Sequence, residues 1–203
     1  MPEFFIFADI IGIIAFSISG FLIAIKNELD ILGILIASAL TALGGGIIRD
    51  AILSSAPFAF TSLYPALTLL VTILIAYIFR VYKKPSIERK WIFVVSDTIG
   101  LVAFSITGAI LAIHAGYNFF GIIILSFITA IGGGVTRDVM INQVPSVLIS
   151  DFYGSIAVIV ALALATLEIL HMLNEVTIGA VAFASVILRL IAFKRGWHLP
   201  KLT

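Results

Sequence analysis

Long apolar stretches, interrupted at charged or turn-forming residues, dominate the chain. The runs are continuous and helix-length, as from Leu67 to Phe79 and from Ile156 to Leu167. A transmembrane β-barrel would instead show alternating segments of about ten residues, whereas about 20 apolar residues in a helix cross a hydrocarbon core of about 30 Å. The pattern therefore predicts seven transmembrane helices, near residues 4–25, 31–55, 61–79, 91–113, 119–142, 149–170 and 175–193.

The composition supports an integral membrane protein and excludes a soluble enzyme. Of the 203 residues, 62% are apolar, and only 12 are basic and 11 acidic, against about 45–50% apolar and about 25% charged in soluble domains. Seven spans occupy most of the chain, so we expect a single all-α membrane domain over residues 1–203, embedded in a lipid bilayer. The absence of cysteine excludes disulfides and thiolate metal sites. The three histidines lack ligand spacing, so no metal or cofactor is expected, and a net charge of +1 gives no reason to expect a nucleic-acid partner.

The basic residues outside the spans predict the orientation of the chain. The segment 80–90 carries five positive charges, and Lys26, Lys194, Arg195 and Lys201 lie in the other short loops and the tail. Cytoplasmic loops are enriched in Lys and Arg. With seven spans, an outside N-terminus and a cytoplasmic C-terminus place all of these charges on the cytoplasmic side. The N-terminus lacks the basic region of a signal peptide, so the first apolar stretch is expected to remain as a span.

The sequence contains an internal repeat. Residues 9–57 align without a gap on residues 97–145, each position matching the one 88 later, and Thr41–Asp50 (TALGGGIIRD) matches Thr129–Asp138 (TAIGGGVTRD). Shared apolar composition does not explain a block that repeats three glycines and an Arg-Asp pair. Each unit has three spans, an odd number, so the second copy is expected to enter the membrane from the opposite side, as in many transporters. The predicted organisation is repeat one (4–79), a cytoplasmic loop (80–90), repeat two (91–171), an unpaired seventh helix (175–193) and a basic tail (194–203).

The glycine triplets are predicted to break the second and fifth spans. Each glycine costs about 1 kcal/mol relative to alanine inside a helix, and a break would expose helix-end carbonyls to a cation and amides to an anion. Backbone groups without helical hydrogen bonds are tolerated at membrane depth only inside protein or beside a water-filled cavity. The alternative is that the glycines only permit close helix packing. The triplets are Gly44, Gly45 and Gly46, and Gly132, Gly133 and Gly134.

An Arg-Asp pair follows each triplet, at Arg49-Asp50 and Arg137-Asp138. A charge at membrane depth costs about 2.5–3.5 kcal/mol on insertion scales, so two copies indicate a paired, hydrated interior. Adjacent helical residues point about 100° apart, which predicts that each arginine finds its partners elsewhere: across the repeat, on Asp9 or Asp97, or on Ser and Thr groups. A structural ion-pair network that never meets solute is the alternative.

Small polar residues on the same spans are further candidates. Ser38 with Thr41, and Ser126 with Thr129, lie three residues apart on faces that lead to the triplets, and we expect those faces to line a pathway. Ser17 in the first span and Ser105 in the fourth have two equally good interpretations. They line the same pathway, or they are small residues that let helices pack closely. Arg189 in the seventh span is expected to snorkel to the inner surface.

Two copies of GGGxxRD, each on the second helix of a three-helix unit, with a seventh helix, resemble the prokaryotic TRIC family (trimeric intracellular cation channels). Bacterial relatives of this family are also labelled glycine-transporter-type membrane proteins. The resemblance covers about residues 4–193. It implies a homotrimer in the plasma membrane of a prokaryote, with one potassium-preferring, monovalent-cation pore in each protomer, lined by helices 2 and 5 at the two glycine and Arg-Asp motifs. Animal members carry a basic lipid-binding motif on the fourth helix. The matching region, Ile110–Ala115, lacks that basic cluster, so phosphoinositide gating is not expected.

Several functions remain open on the sequence. A cation channel leads, because of the doubled motif with its carboxylates. A secondary transporter of a small amino acid such as glycine is the alternative, because Arg49 and Arg137 with helix-end amides could hold a carboxylate. A non-conducting assembly protein would show neither current nor uptake. An enzyme is not expected, because no nucleophile and base stand together in the sequence.

Overall fold

The computed structural model describes residues 3–149 and 152–197, and in these ranges the chain is helical between short connections. Lys201 of the basic tail lies outside the described residues. A 3₁₀ turn at Val81–Lys83 interrupts the long cationic loop. The helices are α1 (Glu3–Lys26), α2 (Ile31–Ile52), α3 (Phe58–Thr61), α4 (Tyr64–Ile78), α5 (Ser86–His114), α6 (Phe119–Met140), α7 (Ser146–Ile149), α8 (Tyr153–Ile169) and α9 (Glu175–Arg195).

Five helices in the described part of the chain are long and apolar enough to cross a membrane: α1, α2, α5, α6 and α9. The other two predicted spans correspond to shorter apolar helices, α4 with 15 residues and α8 with 17. At 1.5 Å per residue, α4 is about 22 Å long, shorter than a typical hydrocarbon core. Each of the two follows a four-residue helix, α3 or α7, that the sequence pattern did not predict.

The helices α2 and α6 begin at matching residues of the two repeats. Asp30 precedes α2 and its carboxylate accepts a hydrogen bond from the backbone N–H of Gly33 at 2.7 Å. Asn118 precedes α6 and its side-chain oxygen accepts from the N–H of Gly121 at 2.9 Å. Asp and Asn are preferred at this position because they satisfy a free amide of the first turn. The local sequence therefore sets the same helix start in both copies.

The two copies meet through α1 against α5 and α2 against α6. Phe16 and Phe104, which are repeat equivalents, stack with ring centroids 5.4 Å apart and an interplanar angle of 26°. Each ring also covers a glycine of the other copy, since a Cβ on Gly12 would meet the Phe104 ring at 3.0 Å and a Cβ on Gly100 would meet the Phe16 ring at 2.2 Å. Repeat-related residues thus contact one another reciprocally at the centre of the bundle.

The predicted break at the glycine triplets is not seen, because α2 and α6 each continue as α-helix through them. The glycines lie where the two helices cross. A Cβ added to Gly45 would lie 2.1 Å from the carbonyl oxygen of Thr129, and one added to Gly133 would lie 2.1 Å from that of Thr41. The structure therefore supports the packing alternative for these glycines, since a side chain at either position would force the helices apart.

Polar contacts between loops join the repeats at opposite ends of the bundle. The side chain of Gln143, after α6, donates a hydrogen bond to that of Asn27, after α1. At the other end, the Tyr117 hydroxyl, after α5, donates to the carbonyl of Ile52 in the last turn of α2 at 3.4 Å. The ends of α1 and α6 are therefore neighbours, as are the ends of α2 and α5.

Candidate functional site

The first Arg-Asp motif forms a charged cluster inside the bundle. Arg49 is 0% exposed. Its Nη1 lies 2.8 Å from Asp9 Oδ1, and its Nε donates to Asp50 Oδ1 at 2.8 Å. Nη1 also donates to Thr107 Oγ1 of the second repeat at 3.2 Å, and the guanidinium carbon lies 5.0 Å from the centre of the Phe5 ring. Two carboxylates, a hydroxyl and an aromatic face thus surround this guanidinium.

The second Arg-Asp motif forms a similar cluster, but its arginine reaches the other aspartate through a serine. Arg137 is 1% exposed, and its Nε donates to Asp138 Oδ1 at 2.8 Å. Its Nη1 donates to Ser19 Oγ of the first repeat at 3.5 Å, and Ser19 Oγ in turn donates to Asp97 Oδ1 at 2.9 Å. A serine therefore links the arginine to the aspartate, where Arg49 contacts Asp9 directly.

The expectation that neighbouring Arg and Asp cannot satisfy each other is wrong. In both motifs the Asp side chain accepts a hydrogen bond from Nε of the preceding Arg. Adjacent side chains leave a helix about 100° apart, but the long, flexible arginine side chain brings its guanidinium to the carboxylate of the next residue. The further partners, Asp9, Thr107 and Ser19, are of the expected kinds and include groups across the repeat.

Each motif aspartate also holds the chain that follows it. Asp50 Oδ2 accepts the backbone N–H of Phe58, the first residue of α3, at 2.8 Å. Asp138 Oδ2 accepts the N–H and the hydroxyl of Ser146, the first residue of α7, at 2.7 and 2.9 Å. The carboxylates therefore connect the arginines to the starts of the two short helices. The sequence motif did not predict this role, because the groups that each aspartate binds lie eight residues further along the chain.

Two further residues, from α8 and α9, belong to the second cluster. Tyr153 stands at the start of an apolar span, where tyrosine often anchors a helix at the membrane interface, but it is 6% exposed and its hydroxyl faces the Asp97 carboxyl group. Arg189 does not snorkel to the surface, because it is 7% exposed, its guanidinium lies 5.4 Å from the Tyr153 ring centre, and it interacts electrostatically with Asp97. The unpaired helix α9 thus supplies a charge that has no counterpart in the first repeat.

The Ser and Thr candidates are buried at helix contacts. Hydroxyls of four of them donate to the carbonyl four residues earlier in the same helix: Ser17, Thr41, Ser105 and Thr129. Ser126 Oγ instead crosses to the carbonyl of Ser105 on α5 at 2.8 Å. Within residues 3–149 and 152–197, the hydroxyl of its repeat equivalent Ser38 has no hydrogen-bond partner. The hydroxyl groups therefore lie where α2 packs against α1 and where α6 packs against α5.

A small cavity of ≈ 10 Å³ lies beside the first cluster. Its walls include Asp9, Arg49, Asp50, Gly46 and Pro65. A single water molecule needs about this much space. In the described ranges, no group of three His, Asp or Glu side chains stands ready to hold a metal ion. The polar groups that the described residues bury are therefore paired charges and hydroxyls where helices pack together.

An all-helical bundle with paired charges in its interior and apolar helices of membrane length defines a multi-pass membrane protein. The chain belongs to the glycine transporter family, which is TRIC-like: the model of that family matches residues 6–81 and 94–168. It is 33% identical to the UPF0126 membrane protein YvgT of Bacillus subtilis (strain 168), with 95% of this chain and 93% of that protein covered.

Solved structures of TRIC channels share the fold over nearly the whole chain. A TRIC cation channel superposes with a TM-score of 0.84 at 34% identity, covering 97% of this chain and 96% of that one. A prokaryotic TRIC channel crystallised in 0.5 M KCl gives a TM-score of 0.87 at 31% identity, with 98% and 100% covered. These relatives are channels and not enzymes, and the protein is accordingly not an enzyme.

Proposed function

We propose that the protein is a potassium-preferring monovalent cation channel with one pore through each protomer of a homotrimer. The observation that carries the proposal is the likeness, over almost the entire chain, to solved TRIC cation channels. The buried side chains agree with a cation as the permeant ion. Among the described residues, four buried carboxyl groups (Asp9, Asp50, Asp97, Asp138) lie beside three buried guanidiniums (Arg49, Arg137, Arg189). Carboxyl oxygens in the interior of the bundle are ligands for a cation and not for an anion.

The pathway in this proposal follows the crossing of α2 and α6 between the two charged clusters. The glycines there bring the two backbones into contact, with the carbonyls of Thr41 and Thr129 against Gly133 and Gly45, so the pathway residues of both repeats lie side by side. The residues assigned to the pathway are Gly44, Gly45, Gly46, Arg49, Asp50, Gly132, Gly133, Gly134, Arg137, Asp138, Ser38, Thr41, Ser126 and Thr129, with Asp9, Asp97, Ser17 and Ser105 in support.

The membrane arrangement in this proposal has seven spans in two inverted repeats, an outside N-terminus and a cytoplasmic C-terminus in the plasma membrane of a prokaryote. Two contacts support the inverted arrangement of the two copies. Inverted copies would place Asn27 and Gln143 on the cytoplasmic side and Tyr117 and Ile52 on the outer side, and these residues pair in that way. In this proposal the domain boundaries are the predicted ones, and α4 and α8 complete the third and sixth spans together with the short helices before them.

A secondary transporter of a small amino acid such as glycine is the alternative, favoured by the description of the matched family. In that case a guanidinium would bind the substrate carboxylate. The contacts of Arg49 and Arg137 weigh against it, because both guanidiniums already donate to aspartates of this chain. A substrate carboxylate would have to bind beside an aspartate that already holds the guanidinium.

Planar bilayer recording of the purified protein tests the proposal. We expect single-channel potassium currents, altered in Asp138→Asn. A folded protein that gives no current under a potassium gradient would overturn the channel. Saturable glycine uptake into proteoliposomes, lost in Arg137→Ala, would instead support the transporter.

A further inference from the structure

A cavity of ≈ 570 Å³, which we call the α5 cavity, lies between the C-terminal ends of α1 and α9 and the beginning of α5. Ligand pockets typically measure about 300–1,000 Å³. The described residues that line it include none of the two Arg-Asp clusters. It also lies at the opposite end of α5 from Ile110–Ala115, the region that matches the basic lipid-binding motif of animal TRIC members. The α5 cavity is therefore a separate feature of the fold.

The lining of the α5 cavity changes from basic to apolar along the helices. Lys26 is the last residue of α1, and Leu22, one turn before it, is buried. On α5 the order is reversed, since Arg89 and Lys90 come first and the buried Val94 follows one turn after Lys90. The basic side chains thus lie at the helix ends, where a membrane meets water, and the apolar side chains lie one turn further into the span.

Aromatic and backbone contacts hold two of the basic side chains at the cavity. Lys90 Nζ lies 5.5 Å from the centre of the Phe193 ring on α9. Arg89 Nη1 donates a hydrogen bond to the carbonyl of Tyr82 at 3.4 Å, which uses one of the five N–H groups of a guanidinium. Among the described lining residues, the one acidic side chain is that of Glu28. Three basic groups against one carboxylate give the lining a net formal charge of +2, which favours an anionic ligand.

The charged lining distinguishes the α5 cavity from two other grooves of ≈ 560 Å³ each, which follow α1 beside α4 and beside α5. None of the described residues that line these two grooves is charged, and most are aliphatic, including Ile14 and Ile18, which both grooves share. An aliphatic groove accepts an acyl chain whatever headgroup the lipid carries. The α5 cavity adds basic side chains to such an apolar wall, so it can also select the headgroup.

We propose that the α5 cavity binds a phospholipid with an anionic headgroup. The headgroup phosphate lies against Lys26, Arg89 and Lys90, and an acyl chain follows the apolar wall into the membrane. Basic pockets between membrane helices bind anionic lipid headgroups in this way. A soluble phosphate compound would contact the basic side chains but leave the apolar wall at Leu22 and Val94 in water, so a lipid is the ligand that matches both parts. The inference adds a lipid site to the protein and does not depend on ion conduction.

Native mass spectrometry of the detergent-purified protein, titrated with lipid, tests the site. Phosphatidylglycerol is compared with phosphatidylcholine of the same acyl chains. The test variant is Arg89→Gln/Lys90→Gln, and the matched control is Lys83→Gln/Lys84→Gln, which removes two positive charges just before α5 and outside the cavity. We expect the wild type and the control to bind phosphatidylglycerol about tenfold more tightly than phosphatidylcholine, because each basic group near an anionic headgroup strengthens binding severalfold. The test variant should lose most of this preference.

Three outcomes would overturn the lipid site. Equal binding of both lipids by the wild type would mean that the headgroup is not recognised, and an equal loss in the control would mean a general attraction to a basic surface. Displacement of phosphatidylglycerol by an equal concentration of glycerol phosphate, which lacks acyl chains, would mean a site for a soluble phosphate. Arg89 is half-buried and Lys90 is exposed, so the test variant should keep the wild-type melting temperature. Lys26→Gln, on another helix, is an independent variant that should weaken the same preference.

Discussion

Thr41 and Gly133 bring two helices of different repeats into backbone contact. The carbonyl oxygen of Thr41 on α2 lies 2.1 Å from where a Cβ of residue 133 on α6 would be. Thr129 and Gly45 make the same contact in reverse. The crossing therefore tolerates only glycine at these two positions, because the obstacle is backbone and cannot rotate away.

The first prediction concerns this crossing. Gly133→Ala should destabilise the folded protein by about 1–3 kcal/mol, the usual cost of overpacking, even though alanine favours a helix. Thermal unfolding in detergent, followed by circular dichroism, measures the change. Gly179→Ala, on an open face of α9, should be neutral or stabilising by up to about 1 kcal/mol. Equal melting temperatures for the two variants would contradict the close crossing.

The second prediction concerns the carboxylate that joins Arg137 to the start of α7. Asp138→Ala leaves a buried guanidinium without its 2.8 Å partner and frees the amide of Ser146, so we expect a loss of about 3–5 kcal/mol. Glu88→Ala serves as the control, because its pair with Lys84 at 3.5 Å is half-exposed, and exposed pairs contribute little. Denaturation in detergent compares them. Similar losses in both variants would show that the Asp138 contacts do not stabilise the fold.

The third prediction concerns the stacked rings at the centre of the bundle. Phe16 and Phe104 are each 1% exposed, and truncating either to alanine should cost about 3–5 kcal/mol. Because the rings touch, the double variant should cost less than the sum of the single ones. A double-mutant cycle should give a coupling of about 0.5–1.5 kcal/mol. Strict additivity would mean that the stacking contributes nothing beyond burial.

The fourth prediction concerns orientation, which the absence of cysteine makes simple to test. Lys83→Cys lies in the exposed loop before α5, and His114→Cys lies at the exposed end of the same helix. In intact cells, a membrane-impermeant maleimide should label His114→Cys, and it should label Lys83→Cys only after lysis. The wild-type chain is the unlabelled control. The reverse pattern would place the N-terminus in the cytoplasm.

Much of the fold follows from local sequence. Apolar runs, charged interruptions and the caps at Asp30 and Asn118 lie within the segments they define, so the starts of α2 and α6 could be predicted to the residue. The third and sixth spans were less predictable. Pro57 and Pro145 precede short helices whose starts are held by the side chains of Asp50 and Asp138, and these contacts come from the preceding long helix.

The candidate site likewise has residues that the sequence identifies and residues whose role comes only from contacts between helices. The spacing of GGGxxRD identified the charged residues, because charges in an apolar segment are conspicuous. The motif did not reveal the roles of Tyr153 and Arg189, since each stands alone near the end or in the middle of an otherwise ordinary apolar helix.

The sequence by itself determined that the protein is a helical membrane protein with a doubled glycine and Arg-Asp motif, because hydrophobic length and repeated spacing are properties of the chain. Only the tertiary structure decided that α2 and α6 run unbroken through their glycines and that Arg49 and Arg137 bind the neighbouring aspartates. It also decided that α9 adds a charge to one cluster alone. These features depend on which helices cross and how closely, and a single segment carries no record of its neighbours.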